Sequence, residues 1–76
     1  MSKELPALKP RQVAKALESA GYVQWRQKGS HLFMHRASDH RSVTVPVHFR
    51  KSLPKGTLHA IVKEAGLTTE EFLRLL

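Results

Sequence analysis

Between Pro10 and Gly21, apolar side chains fall at Val13, Ala16, Leu17 and Ala20. That is the i, i+3, i+4, i+7 spacing of one helix face, and Lys15 and Glu18 take the other. Pro10 suits a first turn, where its missing N–H would find no intrahelical partner. Gly21 supplies a left-handed stop. Leu58, Ile61, Val62 and Ala65 repeat the pattern, and Gly66 ends it. Thr68 and Glu71, three apart, then form a capping box that opens a short third helix with Phe72, Leu73 and Leu76 on its apolar stripe. Between the helices the period changes to two. Tyr22 to Lys28 is rich in aromatic, β-branched and long polar residues; Leu32 and Met34 alternate within His31 to Arg36, and Val43, Val45 and Val47 within Ser42 to Val47. These segments read as strands, with Gly29-Ser30 as the first turn and Ala37 to Arg41 as the next loop. Pro46 lacks a donor, which places it at a sheet edge or a strand end.

The order is therefore α-β-β-β-α with a short extra C-terminal helix. An α+β fold, a three-stranded antiparallel sheet with helices on one face, buries these apolar stripes most economically. The 76 residues make one domain, 1–76, with a small core. Cysteine is absent, so neither disulfides nor thiolate zinc can reinforce it. No apolar run exceeds three residues, so no membrane span is expected, and Met1 to Pro10 lacks a signal-peptide stretch. The expected location is the cytoplasm, with which the lack of cysteine agrees.

Charge changes the picture more than composition does. The chain carries +7, and nearly all of it lies in the middle. Residues 22–55 hold Arg26, Lys28, Arg36, Arg41, Arg50, Lys51 and Lys55 against Asp39 alone. One sheet face is left to solvent, and this basic stretch supplies it. A polyanion, or an acidic protein, is the partner such a face attracts. Four histidines also fall here, at His31, His35, His40 and His48. His31 and His35 do not make a metal pair on a strand, since four residues span about 13 Å; no metal or other cofactor is expected. His31 follows Gly29-Ser30 with Arg26 and Lys28 close behind. There a glycine lets a phosphate approach backbone N–H groups, and an imidazole can accept and return a proton near neutrality. Residue chemistry alone ends at a basic sheet that binds nucleic acid, with His31 either a base or a surface bystander.

Ordered motifs carry the reading further. Gln27-Lys28-Gly29-Ser30-His31, Val43-Thr44-Val45-Pro46-Val47-His48, Lys55-Gly56-Thr57-Leu58 and Glu64-Ala65-Gly66-Leu67-Thr68, ending in Glu71-Phe72-Leu73, closely resemble the HicA-type (YcfA-like) family of mRNA interferase toxins. The resemblance runs from about Leu5 to Leu76, in order and spacing. It implies a fold like the double-stranded-RNA-binding domain. It also implies the toxin of a type II toxin–antitoxin system, a metal-independent endoribonuclease whose motif histidine carries over to His31. The expected site is then His31 as general base and acid, with Arg26, Lys28, Gly29 and Ser30 holding RNA. His35, one strand repeat away on the same face, is a candidate for protonating the leaving group. The expected partners are single-stranded mRNA and an adjacently encoded HicB-type antitoxin covering His31. Two alternatives use the same face without catalysis: an RNA- or DNA-binding module, and an adaptor for an acidic protein.

Overall fold

The computed structural model describes residues 4–48 and 50–76. In chain order it holds α1 (Pro10–Ser19), β1 (Val23–Lys28), β2 (His31–Arg36), β3 (Arg41–Pro46), α2 (Lys55–Glu64) and α3 (Thr69–Leu73). The strands form one antiparallel sheet in the order β1-β2-β3. This is the expected α+β meander, with β2 central and the other two as edges. Pro46 closes β3 at both an edge and a strand end, where its missing donor interrupts no ladder.

Leu32, Met34, Val43 and Val45 point to one side of the sheet and are buried. Against them pack Val13, Ala14, Ala16 and Leu17 of α1, Leu58, Ile61 and Val62 of α2, and Phe72 of α3. Leu5, Leu8 and Leu53 extend the cluster, and the Leu53 N–H donates to the Leu8 carbonyl at 2.8 Å. The basic loop before α2 is thereby pinned to the segment before α1.

Local signals place the helix ends. Gln12 reaches back to the Lys9 N–H at 2.8 Å at the start of α1. Thr68 and Glu71 form the reciprocal capping box of α3: the Thr68 N–H donates to the Glu71 carboxylate at 2.9 Å, and the Glu71 N–H donates to Thr68 Oγ1 at 3.1 Å. The Thr68 backbone bond, above all, favours the ionised Glu71, whose pKa is lowered. Gly66, at φ +74°, follows α2. That backbone conformation favours glycine, and a Cβ there would stand 2.9 Å from the Arg41 guanidinium carbon, so a larger residue would also push the arginine aside. One expectation shifts: Leu76 is 54% exposed, and Leu75 instead packs against the core with Leu73. After Phe72 the helix lasts one more residue, so the chain end no longer keeps its period.

Three contacts tie the C-terminal ends of α1 and α2 to the sheet. The Tyr22 hydroxyl donates to the Ala65 carbonyl at 2.9 Å. Arg36 donates to the Ala20 carbonyl at 3.0 Å, and Arg41 to the Glu64 carbonyl at 3.2 Å. A cation is favourable at a helix C-terminus, where unpaired carbonyls gather negative partial charge.

Candidate active site and nucleic-acid interface

Lys28 and His31 face each other across the β1–β2 hairpin, which Gly29-Ser30 closes. Gly29 has φ +58° and Ser30 does not enter the positive region, the sign pattern of a type II′ turn. Nothing lies within 4 Å of where a Gly29 Cβ would stand. Glycine is therefore required by conformation, and the turn is open to a ligand. The Val47 N–H donates to the Ser30 carbonyl at 2.7 Å, so the end of β3 braces the turn.

Because side chains alternate along a strand, burial of Leu32 and Met34 sends His31, Phe33 and His35 to the solvent face. Register puts Lys28 and Pro46 beside His31, Arg26 and Thr44 beside Phe33, and Val23 and Ser42 beside His35. Directly opposite residues have Cβ atoms about 4.5–5.5 Å apart, so the Lys28 ammonium and the His31 imidazole can act on one phosphate. His31 is exposed. Among the described residues, Arg26, Lys28 and His31 have no ion pair or side-chain hydrogen bond. Thus Arg26, Lys28, Gly29, Ser30 and His31 gather at one end of the open face.

Two members of this face escaped the sequence reading. The register slips between Gln24 and Arg26, a β-bulge in which two residues of β1 oppose one of β2. Gln24 and Gln27, three apart, both sit on the helix side, opposite Met34 and Leu32. Trp25 and Arg26 consequently share the outer face opposite Phe33. Trp25 is 58% exposed, and its ring centroid lies 6.4 Å from that of Phe33, tilted by 56°. With Arg26 and Lys28 the two rings line a shallow cavity of about 250 Å³. A tryptophan amid cations in a strand that buries nothing was the available signal.

The other histidines stand apart. His35 Nδ1 is 3.1 Å from Ser42 Oγ, and its ring lies 6.4 Å from that of His40. It does share the face with His31, but about 13 Å of strand separates them, too far for both to serve one phosphodiester. His40 occupies the β2–β3 turn at φ +54°. Among the described residues, no three His, Asp or Glu side chains gather as a metal site. The larger cavity, about 550 Å³, opens on the helix side between α1 and β1, lined by Lys9, Arg11, Gln24, Gln27 and Arg50. It contains none of the residues at the hairpin turn.

At the far end of the sheet the cations are engaged. Asp39 accepts from Arg36 at 2.8 and 3.1 Å and from Arg41 at 3.4 Å. The Arg36 hydrogen bond, above all, holds the Asp39 carboxyl well below the usual carboxylate range. The Arg36 guanidinium also lies 4.7 Å from the centre of the Tyr22 ring.

This geometry meets an independent finding. The family described as the HicA toxin of bacterial toxin–antitoxin matches residues 10–67, from the first residue of α1 through all three strands to just past α2. The chain belongs to the HicA toxin family. Membership gives it the role of a toxin and implies an antitoxin as its partner. The HicA match includes the Gly29-Ser30-His31 turn and both residues of the Trp25–Phe33 pair, whereas α3 lies beyond it. No individual curated protein matches the chain. Among the described residues no helix of this HicA toxin is long and apolar enough to cross a membrane.

Proposed function

We propose that this HicA toxin is an endoribonuclease of a type II system that cleaves single-stranded mRNA in the cytoplasm at the β1–β2 turn, without a metal ion. The observation that carries the reading is the pairing of an exposed His31 with Lys28 across an open glycine turn. His31 takes the proton of a ribose 2′-OH. The 2′-oxygen forms a bond to the adjacent phosphorus, and the bond from phosphorus to the 5′-oxygen breaks. The 5′-oxygen is protonated from solvent, and the imidazolium returns its proton to water before the next turnover. The products are a 2′,3′-cyclic phosphate and a 5′-hydroxyl. A positioned base contributes about 10²–10⁴ in rate. Lys28 and Arg26 offset charge on the phosphoryl oxygens, the task for which fixed cations serve best, while Gly29 and Ser30 let the backbone approach them.

Inhibition follows from the same geometry. An acidic HicB-type antitoxin, encoded next to the toxin, is steered to the +7 chain. Seated on the turn, it blocks RNA and withdraws His31 from solvent in one step. A non-catalytic RNA- or DNA-binding module is the second reading. In its favour, the His31 ring has no orienting hydrogen bond among the described residues. One gel separates the two: labelled single-stranded RNA, purified protein and EDTA, with the ends of any fragments mapped. Cleavage leaving 5′-hydroxyl ends supports the nuclease; intact RNA that is nevertheless bound supports the module.

A further inference from the structure

We infer that Trp25 and Phe33 form a nucleobase-stacking subsite, which holds the base of a nucleotide neighbouring the phosphate at His31. The inference rests on RNA being the ligand of this face, but not on its being cut. Four observations converge. The bulge turns Trp25 to the outer face, where an apolar ring of this size stands 58% exposed. A bulge commonly re-aims a side chain at a functional site. Its ring and that of Phe33, 6.4 Å apart and tilted by 56°, leave an open cleft rather than a closed stack. Arg26 and Lys28 line that cleft, so the apolar surface is ringed by cations that track a phosphate backbone.

Position supplies the rest. Phe33 is two residues from His31 on the same face, about 7 Å along the strand, close to one nucleotide of extended single strand. A phosphate held between Lys28 and His31 therefore delivers a neighbouring base to the aromatic pair. Aromatic side chains beside a basic groove are the general means of holding single strands, because every base has a π-face. A buried protein interface would be expected to match apolar with apolar; here the two rings are bordered by unpaired positive charge on the hairpin side, which fits a polyanion better.

Trp25 is the chain's single tryptophan, so its fluorescence reports on this site alone. The test uses the His31→Ala full-length protein, which keeps RNA intact, titrated with short single-stranded RNA. A matched oligomer with abasic positions serves as the control. Stacking predicts strong quenching by the RNA and much weaker quenching by the abasic chain. In the same His31→Ala background, Trp25→Ala should weaken RNA binding about tenfold, and Trp25→Tyr should restore most of it; circular dichroism checks that each variant folds. Unchanged fluorescence on RNA binding, or Trp25→Ala binding as tightly as its His31→Ala parent, overturns the subsite. So does a response confined to an acidic protein partner, which would make the patch a protein interface. Quenching by RNA that no protein variant cleaves would uphold the subsite while removing the nuclease reading.

Discussion

The two ends of the sheet hold similar residues and use them differently. At the β2–β3 end, Arg36 and Arg41 flank Asp39, and each guanidinium also reaches the C-terminal carbonyl of a helix. At the β1–β2 end, Arg26 and Lys28 flank His31 with no anion in reach among the described residues. Charge at the first end is engaged, two guanidiniums held by one carboxylate and two helix-end carbonyls, and becomes structure. At the second it stays uncompensated and becomes a binding surface. The comparison teaches that net charge in a sequence counts cations without saying which are available. Of the basic residues in the middle of the chain, Arg36 and Arg41 clasp the helices and Lys55 lies 3.6 Å from Glu4. Arg26, Lys28, Arg50 and Lys51 have no ion pair among the described residues, and of these Arg26 and Lys28 stand on the outer sheet face with His31.

If the ends are as distinct as this, substitutions at one should leave the other's readout unmoved. The largest effect belongs to His31→Ala. Cleavage should fall by about 10²–10⁴, while thermal stability stays near wild type because the side chain is exposed, and RNA affinity stays close because Arg26 and Lys28 keep their charge. EDTA should not slow the wild-type protein. A variant that still cuts RNA, or a wild-type activity restored only by added divalent ions, defeats the mechanism.

Next in size is Arg36→Ala, at the opposite end. It removes hydrogen bonds to Asp39 and to the Ala20 carbonyl, and its guanidinium from the Tyr22 ring. Charged hydrogen bonds of a largely covered side chain are worth about 1–2 kcal/mol after allowance for solvent. For a domain of this size that lowers Tm by roughly 5–15 °C. RNA binding below the transition should be unchanged. Calorimetry and a binding assay on the same sample decide it; a loss of RNA affinity without a loss of Tm would make Arg36 part of the interface.

Lys28→Ala is the converse and smaller. Each phosphate contact on a single strand contributes about 0.7 to the slope of log K against log salt. The variant should lose roughly that much slope and cleave more slowly, with one fixed cation fewer at the phosphoryl oxygens. Its Tm should stay with wild type. A Tm shift like that of Arg36→Ala would erase the distinction between the ends.

Periodicity made most of this fold legible. Val13 to Ala20 and Leu58 to Ala65 could only be helix faces, and alternation at Leu32 and Met34 and at Val43 and Val45 set which side of the sheet is buried. Once that side was set, His31 had to face solvent. What stayed hidden was β1. Its inward positions carry Gln24 and Gln27, and its apolar residues, Val23 and Trp25, stand exposed on the outer face, so the pattern holds no trace of where the period slips. The bulge, and with it the pairing of Trp25 with Phe33, appears only when β2 supplies the register. The roles of Arg36 and Arg41 were hidden for another reason: their partners are backbone carbonyls of Ala20 and Glu64, groups every residue possesses. The site was legible as a family motif around Gly29-Ser30-His31 and as a charge surplus, but not as a division between engaged and open cations.

The smallest expected effect tests that division through pH. Asp39 is held below the usual carboxylate range, first by the Arg36 hydrogen bond and then by Arg41. A carboxyl with a lowered folded-state pKa binds its proton more readily in the unfolded chain. Its contribution to stability is therefore fully present above the unfolded value of about 3.9. It fades as pH falls below that value towards the lowered folded-state pKa. Asp39→Asn removes the titration but keeps a polar side chain. At pH 7 the variant should melt below wild type, by a small margin because the carboxylate is well exposed to solvent. On acidification from about pH 5 towards pH 2 the gap should close, since wild type loses what the variant never had. Glu71, also lowered by its Thr68 bonds, titrates in both proteins and cancels in the difference. Melting curves of the pair across this range give the answer. A gap that stays constant with pH would mean that the Asp39 charge does not hold the β2–β3 end together, and the clasp would then rest on the arginine–carbonyl bonds alone.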